Sequence, residues 1–253
     1  MNIFDFTNAL KMAVQDELSR KLSFGCVNFS SCGSHPDMTH EDFILSIKAI
    51  SKGFEETNWN YISDFHDLRK RGLEIEKEMY RTTSGKNTYK GLIFLGIILA
   101  YGFVKSDKID DISHFIREFS KPLISDYKIN SKAIYYKNLG LNDVRVYPLT
   151  GFKEIFELSK IYYESNLNDL ILTIYLIAKV DDTTTVNRSS VKELRFLQKL
   201  AQKIYKDYNI GKNVLKQAES LNNYYLKNQI TSGGVADIFT LTKTLLYLRR
   251  KYE

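Results

Sequence analysis

The chain has 253 residues, of which 43% are hydrophobic and 26% are charged, and its net charge is +6. This length and composition suffice for one large globular domain with a hydrophobic core. The longest apolar run, of about 14 residues, is too short to span a bilayer. The lysines are dispersed along the chain and no nucleic-acid motif is present, so we expect neither a membrane nor a nucleic acid as partner.

Apolar residues recur with a period near 3.6 along most of the chain, whereas the alternation typical of strands is rare. We therefore predict an all-α fold, a single globular multi-helix domain over residues 1–253 with buried central helices. The N-terminal segment lacks the layout of a signal peptide. Cys26 and Cys32 are then expected to be reduced thiols, which favours a cytoplasmic location.

Helices are predicted, in chain order, over residues 4–22, 41–53, 67–83, 91–104, 107–120, 152–164, 168–180, 190–208 and 213–227, with a last helix ending near residue 252. The segments 91–104 and 168–180 are apolar on nearly all sides, which predicts that both are buried. Residues 128–152 contain Gly140, Pro148 and Gly151 and are predicted to be irregular.

One carboxylate stands out on the predicted helix 67–83. At about 100° per residue, one apolar face is formed by Leu73, Ile75, Met79 and Tyr80. Glu76 falls in the middle of this face and Glu74 falls on the other side. A carboxylate on a core face is costly unless it is paired or bound to a metal, so Glu76 is a candidate functional acid. A buried Glu76 bonded to a lysine or to the backbone is the structural alternative.

Two glycine-containing turns stand before predicted helices. The first, residues 84–90, ends in Lys90, and the second contains Gly233 and Gly234. Free N–H groups and the helix dipole favour an anion at such positions. The signal is weak because such turns are common, and Asp237 in the first turn of the last helix could simply stabilise the helix end.

Further acidic residues lie near other helix ends. Asp181 and Asp182 follow an apolar helix at its C-terminus, where the dipole prefers cations. Mg²⁺, which binds one or two carboxylates with phosphates and water, would compensate them, and a solvated acidic turn is the alternative. His35 and Asp37 flank Pro36 in the connector before the second helix, where a simple loop with a helix cap is the alternative to a functional role.

Six short segments of the chain resemble sequence motifs of one known family. They are GSHPDM (33–38), GLEIEKEM (72–79), TSGKNTYKG (83–91), LGLNDVR with GF (139–145, 151–152), VDDTTTVNR (180–188) and SGGVAD (232–237). These resemble GAHKDM, GIEAEKAM, TNGVNTHKG, YGLxGxR with GFP, VDDTNVIHR and PGGSAD of the triphosphoribosyl-dephospho-coenzyme A synthase family. The matches follow the family's order, and the ordered set is specific although each match alone is modest.

The resemblance implies a helical fold and a reaction. The ribosyl triphosphate part of ATP would be transferred to a hydroxyl of dephospho-coenzyme A, or a related acceptor, and adenine would leave. ATP is then a substrate, Mg²⁺ is the expected cofactor, and a homodimer is compatible with the sequence. Cleavage of the N-glycosidic bond through an oxocarbenium-like transition state needs an acid, a base and cations on the triphosphate.

The resemblance also implies roles for particular residues. The catalytic residues are expected to be Glu76, Asp37 and His35, with Glu76 or Asp37 as general base. The metal is expected to bind Asp181, Asp182 and Glu74. The nucleotide is expected to contact Asn87, Lys90, Arg145, Arg188, Gly233, Gly234 and Asp237.

The chain also departs from the family motifs. The family's PKPGLVDR reads LSFGCVNF here, and other cations and histidines are replaced, so the changed positions are Ser23, Asn28, Phe29, Pro36, Tyr89 and Asn187. These changes remove cations and an acid, which indicates a retained nucleotide and metal site with an altered acceptor side. A divergent enzyme acting on another nucleotide or acceptor, and a non-catalytic nucleotide-binding protein, are the alternatives.

Overall fold

A computed structural model of the protein describes residues 1–165 and 168–253. The helices are α1 (Ile3–Ser19), α2 (His40–Glu55), α3 (Phe65–Thr82), α4 (Lys90–Lys105), α5 (Ile109–Phe119), α6 (Asp126–Ile129), α7 (Ser131–Asn138), α8 (Val146–Leu149), α9 (Lys153–Ser165), α10 (Asp169–Lys179), α11 (Thr183–Arg188), α12 (Val191–Asn209), α13 (Leu215–Lys227) and α14 (Gly233–Tyr252). No strand occurs in these two ranges, so the predicted all-α class is confirmed. Among the described helices, not one has both the length and the apolar character needed to cross a membrane.

The periodic segments form helices as predicted, with small shifts at their ends. Ser190 caps α12, because its side chain accepts a hydrogen bond from the N–H of Glu193 at 3.1 Å. The predicted irregularity of residues 128–152 is wrong in part, since α7 and α8 lie there. Asn130 explains α7, because its side chain accepts from the N–H of Ala133 and caps the helix.

The chain divides into two compact units. Unit 1 comprises Met1–Val14, Glu41–Asn166 and Thr240–Glu253, and unit 2 comprises Gln15–His40 and Leu167–Phe239. The single domain expected over residues 1–253 stays a prediction.

The core of unit 1 is organised around α4. This helix packs against α3 and α5, and its side chains from Leu92 to Phe103 are almost all buried, as its apolar sequence predicts. On α3, Ile75 and Met79 are buried as predicted, but Leu73 is 51% exposed. The apolar face of α3 is therefore narrower than the helical wheel indicates.

The core of unit 2 is built from α10 and α12, which lie against each other. The apolar residues of α10 are buried as predicted. The connector after α1 is fixed to this unit by hydrogen bonds, since the side chain of Asn222 accepts from the N–H of Phe24 at 2.8 Å. The loops that carry the candidate residues of unit 2 are thus held by a packed interior.

Candidate functional site

Two lysines of unit 1, Lys86 in the loop before α4 and Lys90 at the first position of α4, are paired with carboxylates. Lys86 Nζ lies 2.9 Å from both carboxylate oxygens of Asp42. Lys90 Nζ lies 2.5 Å from Glu76 Oε1, and this hydrogen bond raises the pKa of Lys90. Asn87, between the two lysines, is exposed.

The two candidate glutamates of α3 have different surroundings. The side chain of Glu76 is 15% exposed and pairs with Lys90, so its predicted place in the middle of a core face is wrong, and pairing with a lysine is what the structure shows. The side chain of Glu74 is 48% exposed and pairs with Arg71 at 3.0 Å. Glu76 thus lies at the edge of the core, and Glu74 lies at the surface.

Arg145 belongs to a buried ion-pair network that the sequence did not reveal. Its Nε lies 2.7 Å from Asp126 Oδ2, and its Nη1 lies 2.7 Å from Asp143 Oδ2. Asp126 also accepts two hydrogen bonds from Arg69, while Asp143 accepts one from the hydroxyl of Tyr127. Both aspartates are at most 3% exposed. Burial acts to raise the pKa of Asp126, but the hydrogen bonds from the two arginines prevail and lower it.

Asp182 in unit 2 is a buried carboxylate held by backbone N–H groups. It caps α11, because its Oδ1 accepts from the N–H groups of Thr184 and Thr185 at 2.8 and 3.1 Å. Its Oδ2 accepts from the N–H of Val235 at 3.0 Å. Burial raises the pKa of Asp182, whereas these hydrogen bonds favour the charged form. The charge of Asp182 is therefore compensated by the N-terminus of α11, the helix that Asp182 caps, and not by a metal ion at the end of α10.

The glycine turn predicted to bind phosphate receives this carboxylate. A Cβ on Gly234 would lie 3.2 Å from the Cγ of Asp182, so glycine allows the close approach. The N–H of Gly234 donates to the hydroxyl of Thr184 at 3.1 Å. Gly233 begins α14 and is half-buried, whereas Asp237 lies just beyond the first turn of α14 and not within it.

The predicted metal ligands are engaged by other groups. Asp181 Oδ1 accepts from Arg195 and from Gln198, Asp182 accepts three N–H groups, and Glu74 is paired with an arginine. Over residues 1–165 and 168–253, no group of three or more His, Cys, Asp or Glu side chains is placed to hold a metal ion. In this arrangement the donors do not fit Mg²⁺, and the metal assignment stays a prediction.

His35 and Arg188 form the second cluster of unit 2. The Nη2 of Arg188 lies 2.9 Å from His35 Nδ1, and its Nη1 lies 2.7 Å from the carbonyl oxygen of Ser34. His35 Nε2 lies 3.0 Å from the hydroxyl of Thr231. Burial, followed by the charge of Arg188, lowers the pKa of His35 to about 4, although Asp37 opposes the shift. His35 is half-buried, whereas Arg188 and Asp37 are exposed.

Within each unit, the structure brings together only some of the predicted residues. Unit 1 pairs Glu76 with Lys90, and unit 2 pairs His35 with Arg188. Arg145, by contrast, contacts Asp143 of its own segment and Asp126, which lies outside the six segments. Neither Tyr127 nor Arg69 lies in one of the six family-like segments.

Comparison with known proteins gives a consistent family. The sequence model of the family CitG, ATP:dephospho-CoA triphosphoribosyl transferase, matches residues 4–253. A probable 2-(5''-triphosphoribosyl)-3'-dephosphocoenzyme-A synthase of Streptococcus mutans is 26% identical in an alignment that covers 89% of this chain and 90% of that protein. The protein of the same name from Vibrio cholerae is 27% identical over 86% of this chain and 80% of its own length. Protein CitXG of Haemophilus influenzae is 28% identical over 89% of this chain and 56% of its own length.

No solved structure matches the chain. The helical fold and the family match together define an all-α enzyme of the transferase class. The chain belongs to the ATP:dephospho-CoA triphosphoribosyl transferase family. The resemblance drawn from the six motifs is thereby confirmed.

Proposed function

We propose that the protein transfers the triphosphoribosyl group of ATP to a hydroxyl of dephospho-coenzyme A and releases adenine. The observation that carries this proposal is the environment of Arg188. In the part of the chain that the structure describes, its hydrogen-bond partners are all neutral: the carbonyls of Ser34 and Gln229 and the ring of His35. Its charge is therefore fixed in place without being neutralised.

A guanidinium in this state suits a triphosphate. Arginine carries about five N–H donors in a planar fork, and three hydrogen bonds to the protein hold Arg188 through Nη1 and Nη2. The remaining donors are available for phosphate oxygens, and charge-assisted bonds of this kind are the stronger ones. Arg188 is exposed, so an anion can reach it. We assign the triphosphate to Arg188 on these grounds.

The reaction also needs a base and a leaving group. The hydroxyl oxygen of the acceptor forms a bond to C1' of the ribose while the bond from C1' to the adenine nitrogen breaks. Adenine leaves with that electron pair and takes up a proton, and the hydroxyl proton goes to a base. We propose Glu76 for this role because it is half-buried and held by Lys90, whereas Asp37 is exposed. No step is assigned to a metal ion.

The test is an assay for free adenine. The purified protein is incubated with ATP and Mg²⁺, with and without dephospho-coenzyme A, and adenine and the product mass are measured by chromatography and mass spectrometry. Adenine that appears only with dephospho-coenzyme A supports the proposal. Adenine without it would show that the bond is cleaved but that the acceptor differs. No adenine in either case would contradict the proposed reaction.

A further inference from the structure

We propose that His35 is a positioning residue that holds Arg188 for the triphosphate and takes no part in proton transfer. This inference rests on the proposed role of Arg188 and changes the role that the family resemblance implies for His35.

Both nitrogens of the His35 ring are in use. An arginine N–H can only donate, so Nδ1 of His35 must be the acceptor in the 2.9 Å contact with Arg188. The neutral ring then carries its hydrogen on Nε2, which donates to the hydroxyl oxygen of Thr231 at 3.0 Å. A general acid or base needs a nitrogen within reach of the substrate. Here neither nitrogen can meet a substrate without breaking a hydrogen bond.

The turn that precedes His35 is held in place by its backbone and by Ser34. The hydroxyl of Ser34 donates to the carbonyl of Ile230 at 2.7 Å, and its N–H donates to the carbonyl of Gly25 at 2.9 Å. Gly33 has a φ of 57°, and a Cβ there would lie 2.4 Å from the carbonyl oxygen of Cys26. The turn therefore holds two acceptors of Arg188, the carbonyl oxygen of Ser34 and Nδ1 of His35, at a fixed distance from each other.

The charges around the ring keep it neutral. Arg188 faces Nδ1, and Asp37 lies close enough to act on the ring in the opposite sense. Burial and Arg188 prevail, so the pKa of His35 lies at about 4. A protonated ring would present an N–H to the arginine and lose the contact. At neutral pH the ring thus remains an acceptor that orients a cation without reducing its charge.

Two substitutions separate positioning from proton transfer. The side-chain oxygen of asparagine lies near the position of Nδ1, so H35N keeps an acceptor for Arg188, whereas H35L removes it. ATP affinity is measured by calorimetry on the intact protein. Loss of one hydrogen bond to a charged group corresponds to about 10-fold, so we expect H35L to weaken ATP binding by that factor and H35N to restore most of it.

A double-mutant cycle with R188Q tests whether His35 acts through the arginine. If it does, H35L adds little to the loss already caused by R188Q. Unchanged affinity in R188Q would contradict the proposed function of Arg188. Weakened binding in R188Q with wild-type binding in H35L would overturn only the positioning role.

The rate of adenine formation gives a second readout. A general acid or base contributes about 10²- to 10⁴-fold to the rate, so a fall of kcat of that size in H35N would overturn the inference. We expect kcat of H35N to fall by less than about 10-fold. Around neutral pH and above, where His35 is already neutral, we also expect the pH profiles of kcat/KM of the wild type and H35N to show the same ionisations. Thermal midpoints of the variants show whether each is folded.

Discussion

The cations in the family-like segments of the two compact units have different partners. In unit 1, Lys86, Lys90 and Arg145 each lie against at least one carboxylate. In unit 2, Arg188 lies against two carbonyl groups and an imidazole. All four residues are Lys or Arg, and all four lie in the family-like segments. The sequence alone therefore does not show which of them is available to bind a phosphate.

The difference separates structural charges from available ones. The charge of a cation that is paired with a carboxylate is already largely neutralised, and separating the pair is costly when it is buried. A cation held by neutral acceptors is fixed in position, and no neighbouring negative charge cancels its electrostatic attraction for an anion. We infer that the charges of Arg145 mainly stabilise unit 1, whereas the charge of Arg188 serves the ligand.

The largest expected effect comes from breaking the Arg145 network. Arg145→Leu leaves Asp126 and Asp143 buried with fewer partners, so the free energy of unfolding should fall by about 3–5 kcal/mol, measured by urea titration. Arg69→Leu is the matched control, because Arg145 still pairs with Asp126 in that variant. A stability loss in Arg145→Leu no larger than in the control would show that Arg145 is not structural.

The next effect is on the rate. Glu76→Gln removes the proposed base but keeps the shape of the side chain, so kcat should fall by about 10²- to 10⁴-fold. Stability should change by less than about 1 kcal/mol, since the partner Lys90 is largely exposed. Glu78→Gln is the control, because Glu78 lies on the same helix and is paired with Arg81. Equal rates in the two variants would remove Glu76 from the mechanism.

Asp182 gives an intermediate effect on stability. In Asp182→Asn, an NH₂ group replaces one of the two carboxylate oxygens. A buried backbone N–H, either that of Val235 or one at the N-terminus of α11, then loses its acceptor. The free energy of unfolding should fall by about 1–3 kcal/mol. The Mg²⁺ concentration that gives half-maximal rate should remain that of the wild type. A shift of that concentration in folded Asp182→Asn would support the predicted role of Asp182 as a metal ligand.

The smallest effect is the pH dependence of stability. The pKa of His35 falls from an ordinary 6.5 to about 4 on folding, so the unfolded chain takes up a proton first as the pH drops. The contribution of neutral His35 is complete above pH 6.5 and is lost as the pH falls from there to about 4. The thermal midpoint of the wild type should therefore fall more steeply than that of H35N in this range. Parallel curves would contradict the lowered pKa.

The helices were predictable because periodicity and capping are local. The burial of α4 and α10 and the cap at Ser190 follow from short stretches of sequence. The helical wheel failed at Glu76 because it treated Leu73 as buried, and Leu73 is half exposed. A wheel identifies a face, but the width of the buried stripe depends on the neighbouring helices.

The partners within the candidate site were not predictable, since they are distant in sequence. Asp182 and Val235 are 53 positions apart, and His35 and Arg188 are 153 apart. The motifs identified most of these residues, but no single-sequence signal states which of them touch. Asp143 lies in the segment 128–152 that was expected to be irregular, and Asp126 lies just before it. Because this region has no helical periodicity, the sequence did not indicate that the two aspartates are buried.

The most direct test of the difference between the units is the affinity for inorganic triphosphate. Calorimetric titrations compare the wild type with R188Q and K90Q at one ionic strength. We predict that R188Q weakens binding by about 10- to 100-fold, whereas K90Q, whose lysine is already paired with Glu76, weakens it by less than about 3-fold. The reverse order, a large loss in K90Q and none in R188Q, would contradict the assignment of the available charge to Arg188.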